Sequence, residues 1–210
     1  RSTLTCEAKE GICQYCYGYD SYGAFPKIGQ NVGVIAAQSV SEVLTQAMLA
    51  TKHKGGVAGK NRDAFEEAEK LLYLKENFPD EATVAHVNGT VTRVTKDSLN
   101  AHHVFVGETE HFVPAQYGVI VSVGDKVRKG DALSEGTVHP RKIIQLKGLG
   151  SGRKYFSEAL RDAYGVANDK LDPRHFDLVA RNVLKYSTVV DPGETGFVPG
   201  QVVELSQLQK

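Results

Sequence analysis

Three cysteines within eleven residues constrain the fold of this chain more than any other feature. Cys6, Cys13 and Cys16 have the spacing C-x6-C-x2-C, and no further cysteine occurs in the 210 residues. An odd, clustered set cannot form a framework of disulfides, whereas two thiolates three residues apart on a turn are the usual half of a tetrahedral zinc site. The sequence therefore predicts a zinc knuckle within residues 1–25 and favours a reducing compartment.

The identity of a fourth zinc ligand stays open at this point. Three cysteines fill three of the four positions of a tetrahedral site. A distant histidine, a water molecule or a residue upstream of Arg1 could fill the fourth. The competing interpretation is three unreactive buried thiols, although isolated buried cysteines rarely cluster in so glycine-rich a segment. Of the two kinds of zinc site, a structural one is favoured over a catalytic one.

Composition and charge exclude two broad classes of protein. Hydrophobic residues make up 41% of the chain and charged residues 24%, which excludes a disordered chain, and no apolar run approaches the roughly 18 residues that a membrane span requires. The net charge is zero, although residues 136–185 hold ten basic and only five acidic side chains. Because Arg1 is not a methionine and no apolar signal region follows it, we expect a piece of a longer protein.

Hydrophobic periodicity divides the chain into five parts and predicts an α+β fold. The first part is the zinc-binding segment. Apolar residues then recur at three- and four-residue intervals, which predicts a helix, a loop and a second helix. A period of two follows, with Gly-Asp turns that indicate a small barrel-like region of short strands. The helical period then returns, and short strands close the chain. The predicted parts are residues 1–25, 26–80, 81–138, 139–185 and 186–210.

Glycine-rich tracts mark the predicted breaks between helices. The tract 55–59 contains three glycines and predicts a hinge after the first long helix. In the later helical part, the period predicts helices at 139–149, 155–164 and 173–185. The glycines of residues 148–152 are expected to separate the first two of these helices.

One face of the first long helix, predicted from Gly33 to Leu49 and continuing beyond it, carries candidate binding residues. Gln46, Leu49 and His53 follow one another at i, i+3 and i+7, so an amide, an apolar side chain and an imidazole lie in line. An imidazole with a pKa near 6.5 can donate a proton or a hydrogen bond to phosphate, and Lys52 and Lys54 flank it. The spacing alone favours a plainer interpretation, a solvated helix end whose dipole stabilises basic side chains.

These segments resemble parts of one known family. Around the cysteines, the sequences LTC, GIC and CYG are similar to the zinc-binding segment of beta-prime, the largest catalytic subunit of cellular-type multisubunit RNA polymerases. The residues that follow are similar to the start of that subunit's trigger loop, and later landmarks such as GDKV and DPG continue in the same order. The matching positions are 4–6, 11–13, 16–18, 32–39, 45–46, 51, 53, 55–59, 124–127 and 191–193. The resemblance covers nearly the whole chain.

The resemblance implies a role in transcription. DNA-directed RNA polymerase is a nucleotidyltransferase that adds ribonucleotides to an RNA 3′ end with two Mg²⁺ ions. Its trigger loop closes on the incoming nucleoside triphosphate (NTP). By this resemblance, His53 would be the catalytic residue and would face the β-phosphate, while Leu49 would pack against the base. Gln46 would face the ribose, and Lys52 and Lys54 would add substrate-binding charge.

The resemblance also implies cofactors and partners. Cys6, Cys13 and Cys16 would bind a structural Zn²⁺, and the family's fourth cysteine precedes this region. The family's Mg²⁺-binding Asp triplet and bridge helix also precede it, and neither occurs in this sequence, so we expect that the chain cannot polymerise alone. The expected partners are a beta-like subunit, the rest of beta-prime, template DNA, the RNA transcript and NTPs. The expected location is the cytoplasm of a bacterium or infected host cell, with no membrane partner.

The first long helix departs from the family's pattern. The family's Ile-Gly-Glu-Pro-Gly-Thr-Gln is replaced by VSEVLTQ at residues 40–46, and loss of the Pro-Gly pair predicts a more continuous helix. Leu49 replaces a base-stacking methionine, and Ala50 replaces a phosphate-facing arginine, whose charge Lys54 is expected to supply. The aromatic residue before the histidine is Lys52. Such departures indicate a viral (phage-encoded) or otherwise remote polymerase. The chain would then be either a fragment of beta-prime or a naturally split C-terminal subunit.

Two other classes of protein match parts of the sequence. Residues 123–131 (VGDKVRKGD) resemble the hammerhead turn of biotinyl and lipoyl domains, but residues 133–140 lack the lysine that those carrier domains modify. A non-catalytic zinc-ribbon module that binds nucleic acid is the stronger alternative. Binding of free DNA by the isolated chain would favour that alternative.

Overall fold

The computed structural model describes residues 1–8, 10–53, 67–74, 78, 80–165 and 171–208. The named helices are α1 (Gln14–Tyr17), α2 (Val32–His53), α3 (Pro140–Lys147), α4 (Leu149–Ala163), α5 (Pro173–Val183) and α6 (Leu205–Leu208). The strands are β1 (Gly89–Lys96), β2 (His102–Val106), β3 (Thr109–Val113), β4 (Lys126–Val127), β5 (Tyr186–Thr188) and β6 (Val202–Glu204). A further helical stretch covers residues 67–73.

The chain divides into two compact units. One unit consists of Arg1–Ala68 together with Ser157–Lys210, and the other consists of Glu69–Phe156. Each unit contains both helices and strands, which confirms the predicted α+β class. Within the described ranges, none of the helices is both long and apolar enough to cross a membrane.

Helix α2 dominates the first unit and is longer than the sequence pattern required. Its start is capped by Asn31, whose side-chain oxygen accepts the backbone N–H of Val34 at 3.0 Å. The backbone stays helical through residues 40–46, which confirms the expectation of an unbroken helix there. Ala36 and Val40, one turn apart, are buried on the side of α2 that packs against α5.

Helix α5 begins and packs as its sequence predicts. The Asp172 carboxylate accepts the backbone N–H of Arg174, and Pro173 occupies the first turn, where its missing N–H costs nothing. Phe176 and Ala180 on one face are fully buried. The chain then continues into β5, which pairs antiparallel with β6.

The second unit is built around an antiparallel sheet with the strand order β3-β2-β1-β4. The register of β1 against β2 shifts between Val91 and Arg93, and a bulge of this kind bends a strand. One face of the sheet closes over a valine-rich core. Its buried members are Ala85, Val91, Val104, Val106, Val113, Val127 and Leu133.

Two Gly-Asp turns in this unit share one construction, as the sequence predicted. The backbone of Gly124 has a φ of +101° and that of Gly130 a φ of +83°, values that favour glycine. The carboxylates of Asp125 and Asp131 each accept the backbone N–H of the residue three positions earlier, at 2.8 Å. Lys147 donates to Asp131 at 2.7 Å. Burial raises the pKa of Asp131. The hydrogen bonds from Lys147 and from the backbone of Arg128, together with the positive charges of these two residues, outweigh burial and leave the pKa below its ordinary value.

The break between α3 and α4 is much shorter than the predicted glycine tract. Only Gly148 leaves the helical conformation, with a φ of +85°, and α4 begins at the next residue. Gly152 lies inside α4, where a Cβ atom would collide with the side chain of Ile144 on α3. The glycine therefore serves close packing of the two helices rather than a loop, a distinction that local sequence does not carry.

Candidate functional site

The side chains of Cys6, Cys13 and Cys16 converge, as their spacing predicted. The three sulfur atoms all lie within 4.8 Å of one another. With Zn–S bonds of about 2.3 Å, the sulfurs of a tetrahedral site stand about 3.8 Å apart, so this arrangement suits a zinc ion. Among the described residues, no fourth histidine, cysteine or carboxylate joins the cluster.

A single helical turn aligns two of the three thiols. Cys13 occupies the position before α1, and its carbonyl accepts the backbone N–H of Cys16 at 3.1 Å and that of Tyr17 at 3.0 Å. This turn brings residues three apart to the same side. The N–H of Cys13 in turn donates to the Cys6 sulfur at 3.4 Å. Cys6 is buried and Cys13 is exposed, so the cluster opens to solvent at Cys13.

The three thiols influence one another's ionisation. Burial raises the pKa of Cys6, but hydrogen bonds from the backbone of Cys13 and Ala8, and from the thiols of Cys16 and Cys13, lower it below the ordinary value of 9.0. The hydrogen bond with Cys13, followed by burial, raises the pKa of Cys16 to about 11. The pKa values of Cys6 and Cys16 therefore shift in opposite directions, because the three thiols lie in contact with one another.

The segment that carries the cysteines has little core of its own. Its apolar contacts are an aromatic group in which Tyr19 stacks on Phe25 with ring centroids 4.3 Å apart and Tyr15 meets Phe25 at 5.4 Å. These rings stay substantially exposed; Tyr15 is 69% exposed. Hydrophobic burial therefore contributes little to the order of this segment, and other interactions must hold it.

Helix α5 holds the cysteine segment through two arginines. The guanidinium of Arg181 donates to the carbonyl of Cys6 at 2.7 Å, and also to those of Thr3 at 3.2 Å and Ala8 at 3.5 Å. Arg174 donates to the carbonyls of Tyr17 at 3.2 Å and of residue 19 at 2.6 Å. Both ends of the cysteine segment are therefore attached to one helix.

Asp177 lies between these two arginines on α5. Its carboxylate accepts the hydroxyls of Thr3 at 2.9 Å and Ser157 at 2.7 Å. Sequence analysis missed Arg174, Asp177 and Arg181. Their i, i+3, i+7 spacing was visible, but such a stripe of charges on a helix is usually a solvated face.

The predicted nucleotide-facing residues are described only in part. Helix α2 reaches His53, so its helical backbone carries Gln46, Leu49 and Lys52. Gln46 is exposed, and its amide donates to the Glu42 carboxylate one turn earlier at 3.1 Å. The side chains of Leu49, Lys52 and His53 lie outside what the structure describes, as does Lys54 altogether, so their predicted roles stay predictions.

Comparison with known proteins shows that the chain is similar to subunits of RNA polymerases. A family model for RNA polymerase Rpb1, domain 5, matches residues 2–122. The chain is 33% identical over 214 residues to DNA-directed RNA polymerase subunit beta' of Oceanobacillus iheyensis, covering 100% of this chain and 18% of that protein. It is 32% identical over 214 residues to the subunit of Streptococcus thermophilus, covering 98% and 18%. For Thermosipho africanus the values are 32% over 219 residues, with 100% and 13% covered.

Proposed function

The chain belongs to the RNA polymerase Rpb1 domain 5 family and matches beta' subunits along its length, and on this premise we propose that it works as part of a DNA-directed RNA polymerase. The chain spans about 18% of the length of the first of these relatives. The polymerase activity, the partner subunits, the template DNA, the transcript and the NTP substrates are all parts of this proposal.

Within that polymerase, we assign residues 26–80 the role of the trigger loop and its flanking helices. Residues 46, 49 and 53 follow one another at i, i+3 and i+7 in the helical range of α2, a spacing expected to put them on one side of a helix. Closing on an incoming NTP, this side would bring His53 toward the β-phosphate and Leu49 against the base. Lys52 and Lys54 would add positive charge near the phosphates. The Mg²⁺ ions of the reaction would be bound by other parts of the polymerase.

The cysteine cluster would serve the same polymerase as a structural zinc site. Three converging sulfurs and a segment with little core favour a stabilising metal over a reacting one. The fourth ligand would come from another part of the polymerase. The zinc would stabilise the fold of residues 1–25, from which the chain runs into α2.

The family match of residues 2–122 is the observation that carries the proposal, because it includes both the cysteine cluster and the whole of α2. It also distinguishes the proposal from the alternative of a zinc-ribbon module. That alternative accounts for the cysteines but requires no helix of this length after them. A polymerase subunit needs both features, and in this order.

The proposal is tested by replacing His53 in a polymerase assembled with the full chain. We expect His53→Ala to slow single-nucleotide addition by about 10²–10⁴-fold, as for the loss of a positioned acid or charge, with promoter binding unchanged. His53→Gln keeps a hydrogen-bond donor at similar reach, so near-normal rates with it would favour positioning over proton transfer.

The matched control is His102→Ala, which removes an imidazole from strand β2 of the other unit and should leave elongation at the wild-type rate. Unchanged elongation with His53→Ala would contradict the trigger-loop role. If the isolated chain then also bound free DNA, the zinc-ribbon alternative would be favoured.

A further inference from the structure

The carbonyl groups of the cysteine segment converge on a helix that is remote in sequence. Arg181 donates to the carbonyl of Cys6, which lies 175 positions earlier in the chain. Arg174, two helical turns before it on α5, donates to the carbonyls of Tyr17, the last residue of α1, and of Tyr19. The rise of a helix puts the Cα atoms of the two arginines about 10 Å apart along α5. One face of α5 thus contacts the cysteine segment around Cys6 and again after Cys16.

We propose that Arg181, supported by Arg174, is a positioning residue of the metal site: it orients the Cys6 thiol and so sets the affinity of the cysteine cluster for zinc. The inference rests on the proposed zinc site and goes beyond it, because it assigns part of the metal affinity to a helix that contributes no ligand.

Arginine is the residue type that suits this position. A guanidinium presents five N–H donors in a planar fork and keeps its charge at any physiological pH. Arg181 uses this fork on three carbonyls of a segment that is neither helix nor strand. A lysine ammonium keeps the charge, but it is a point donor on a flexible stem and cannot hold three carbonyls in one fixed arrangement.

The contact to Cys6 is the one that bears on the metal. At 2.7 Å it is the shortest of the three that Arg181 makes, and Cys6 is the buried thiol of the cluster. Fixing the carbonyl restricts the backbone at Cys6 and hence the direction of its sulfur.

Two carboxylates near the arginines add to these contacts. Asp172 forms an ion pair with Arg174. The Asp177 carboxylate, between the arginines, accepts the hydroxyl of Thr3, a residue that is 2% exposed. This hydrogen bond holds the segment that leads to Cys6 against the same face of α5. Second-layer contacts of this kind typically contribute 10–100-fold to metal affinity.

The experiment measures zinc affinity of the full chain by competition with a chelator, and the absorption spectrum of the Co²⁺-substituted chain as a report on ligand geometry. We expect Arg181→Gln to weaken zinc binding by about 10–100-fold and to alter the Co²⁺ spectrum. Arg181→Lys, which keeps the charge, should recover part of the affinity. Arg174→Gln should weaken zinc binding less, because the carbonyls that Arg174 contacts belong to residues after the last cysteine.

Arg141→Gln is the matched control, since Arg141 is an exposed arginine on α3 in the other unit. Its zinc affinity should equal that of the wild type. Far-ultraviolet circular dichroism of each metal-loaded variant identifies a variant that has lost its helices. If Arg181→Gln has lost them, the zinc affinity and Co²⁺ spectrum of Arg181→Lys test the proposal instead.

Wild-type affinity and an unchanged Co²⁺ spectrum in both Arg181 variants would overturn the inference while leaving the zinc site intact. A wild-type chain that binds no zinc, alone or within the assembled polymerase, would instead overturn the zinc site and this inference together. The two failures are therefore distinguishable.

Discussion

The imidazole of His111 on β3 is buried and accepts a hydrogen bond that protonation would break. The side chain is 3% exposed, and its Nε2 accepts the backbone N–H of His86 at 2.9 Å. That hydrogen bond requires Nε2 to be unprotonated. Burial, followed by the nearby His86, lowers the pKa of His111 below its ordinary value of 6.5, although the carbonyls of Val104 and Thr109 offset part of the effect.

We therefore predict that acid destabilises the second unit through His111. The unfolded chain binds a proton near pH 6.5, whereas the folded chain resists it, so stability is complete above that pH and falls as the pH drops below it. His111→Gln keeps an acceptor but cannot titrate. Urea denaturation between pH 7.5 and 5.0 should show a flatter pH profile for the variant, and parallel profiles would contradict the prediction.

At the scale of elements, Tyr164 connects the end of α4 to the middle of α2. Its hydroxyl donates to the carbonyl of Val40 at 3.1 Å, and both groups are buried. Burial raises the pKa of Tyr164 to about 12, so the hydroxyl remains a donor throughout the physiological range. The ring also meets Phe176 of α5 edge-on at 5.2 Å. One side chain therefore contacts two helices of the first unit.

We expect Tyr164→Phe to lower the free energy of unfolding by about 1 kcal/mol, because it removes one buried hydrogen bond and keeps the ring. The matched control is Tyr186→Phe on β5, whose side chain is 54% exposed and which should change stability by less than about 0.5 kcal/mol. Chemical denaturation followed by circular dichroism measures both. Equal effects of the two variants would argue against a role for the Tyr164 hydroxyl.

Sequence patterns predicted where helices form more successfully than how those helices pack against one another. The periodicity that begins at Gly33 predicted a helix, and α2 confirms it, because a helix's period depends on residues only a few positions apart. The glycine tract at 148–152 was predicted as a break, yet all but its first residue lie in α4. Glycine permits a turn and also permits close helix packing, and only the neighbouring helix decides between them.

At the scale of the whole molecule, the two compact units differ in what stabilises them. The unit Glu69–Phe156 has a buried valine-rich core under its sheet. The other unit includes the cysteine segment, whose aromatic residues are largely exposed and whose order depends on the thiol cluster and on α5. Metal removal should therefore affect the two units unequally.

We predict that chelation of zinc, or Cys13→Ser, increases amide hydrogen exchange in residues 1–25 and leaves the exchange of β1 and β2 unchanged. Tyr15→Phe, a change at an exposed aromatic ring of the same segment, is the control and should retain stoichiometric zinc. Metal analysis and exchange followed by mass spectrometry supply the measurements. Unaltered exchange in residues 1–25 after complete zinc removal would rule out a structural role for the metal.

The sequence by itself determined the local features: the helical period of α2, the Gly-Asp turns and the spacing of three cysteines that converge in the structure. It also carried the resemblance to beta-prime. Only the tertiary structure decided which distant groups meet, such as Arg181 with the carbonyl of Cys6 and Tyr164 with that of Val40. The physical reason is that periodicity and spacing reflect interactions between near neighbours in the chain. A carbonyl, by contrast, gives no sign in the sequence of the side chain that will reach it.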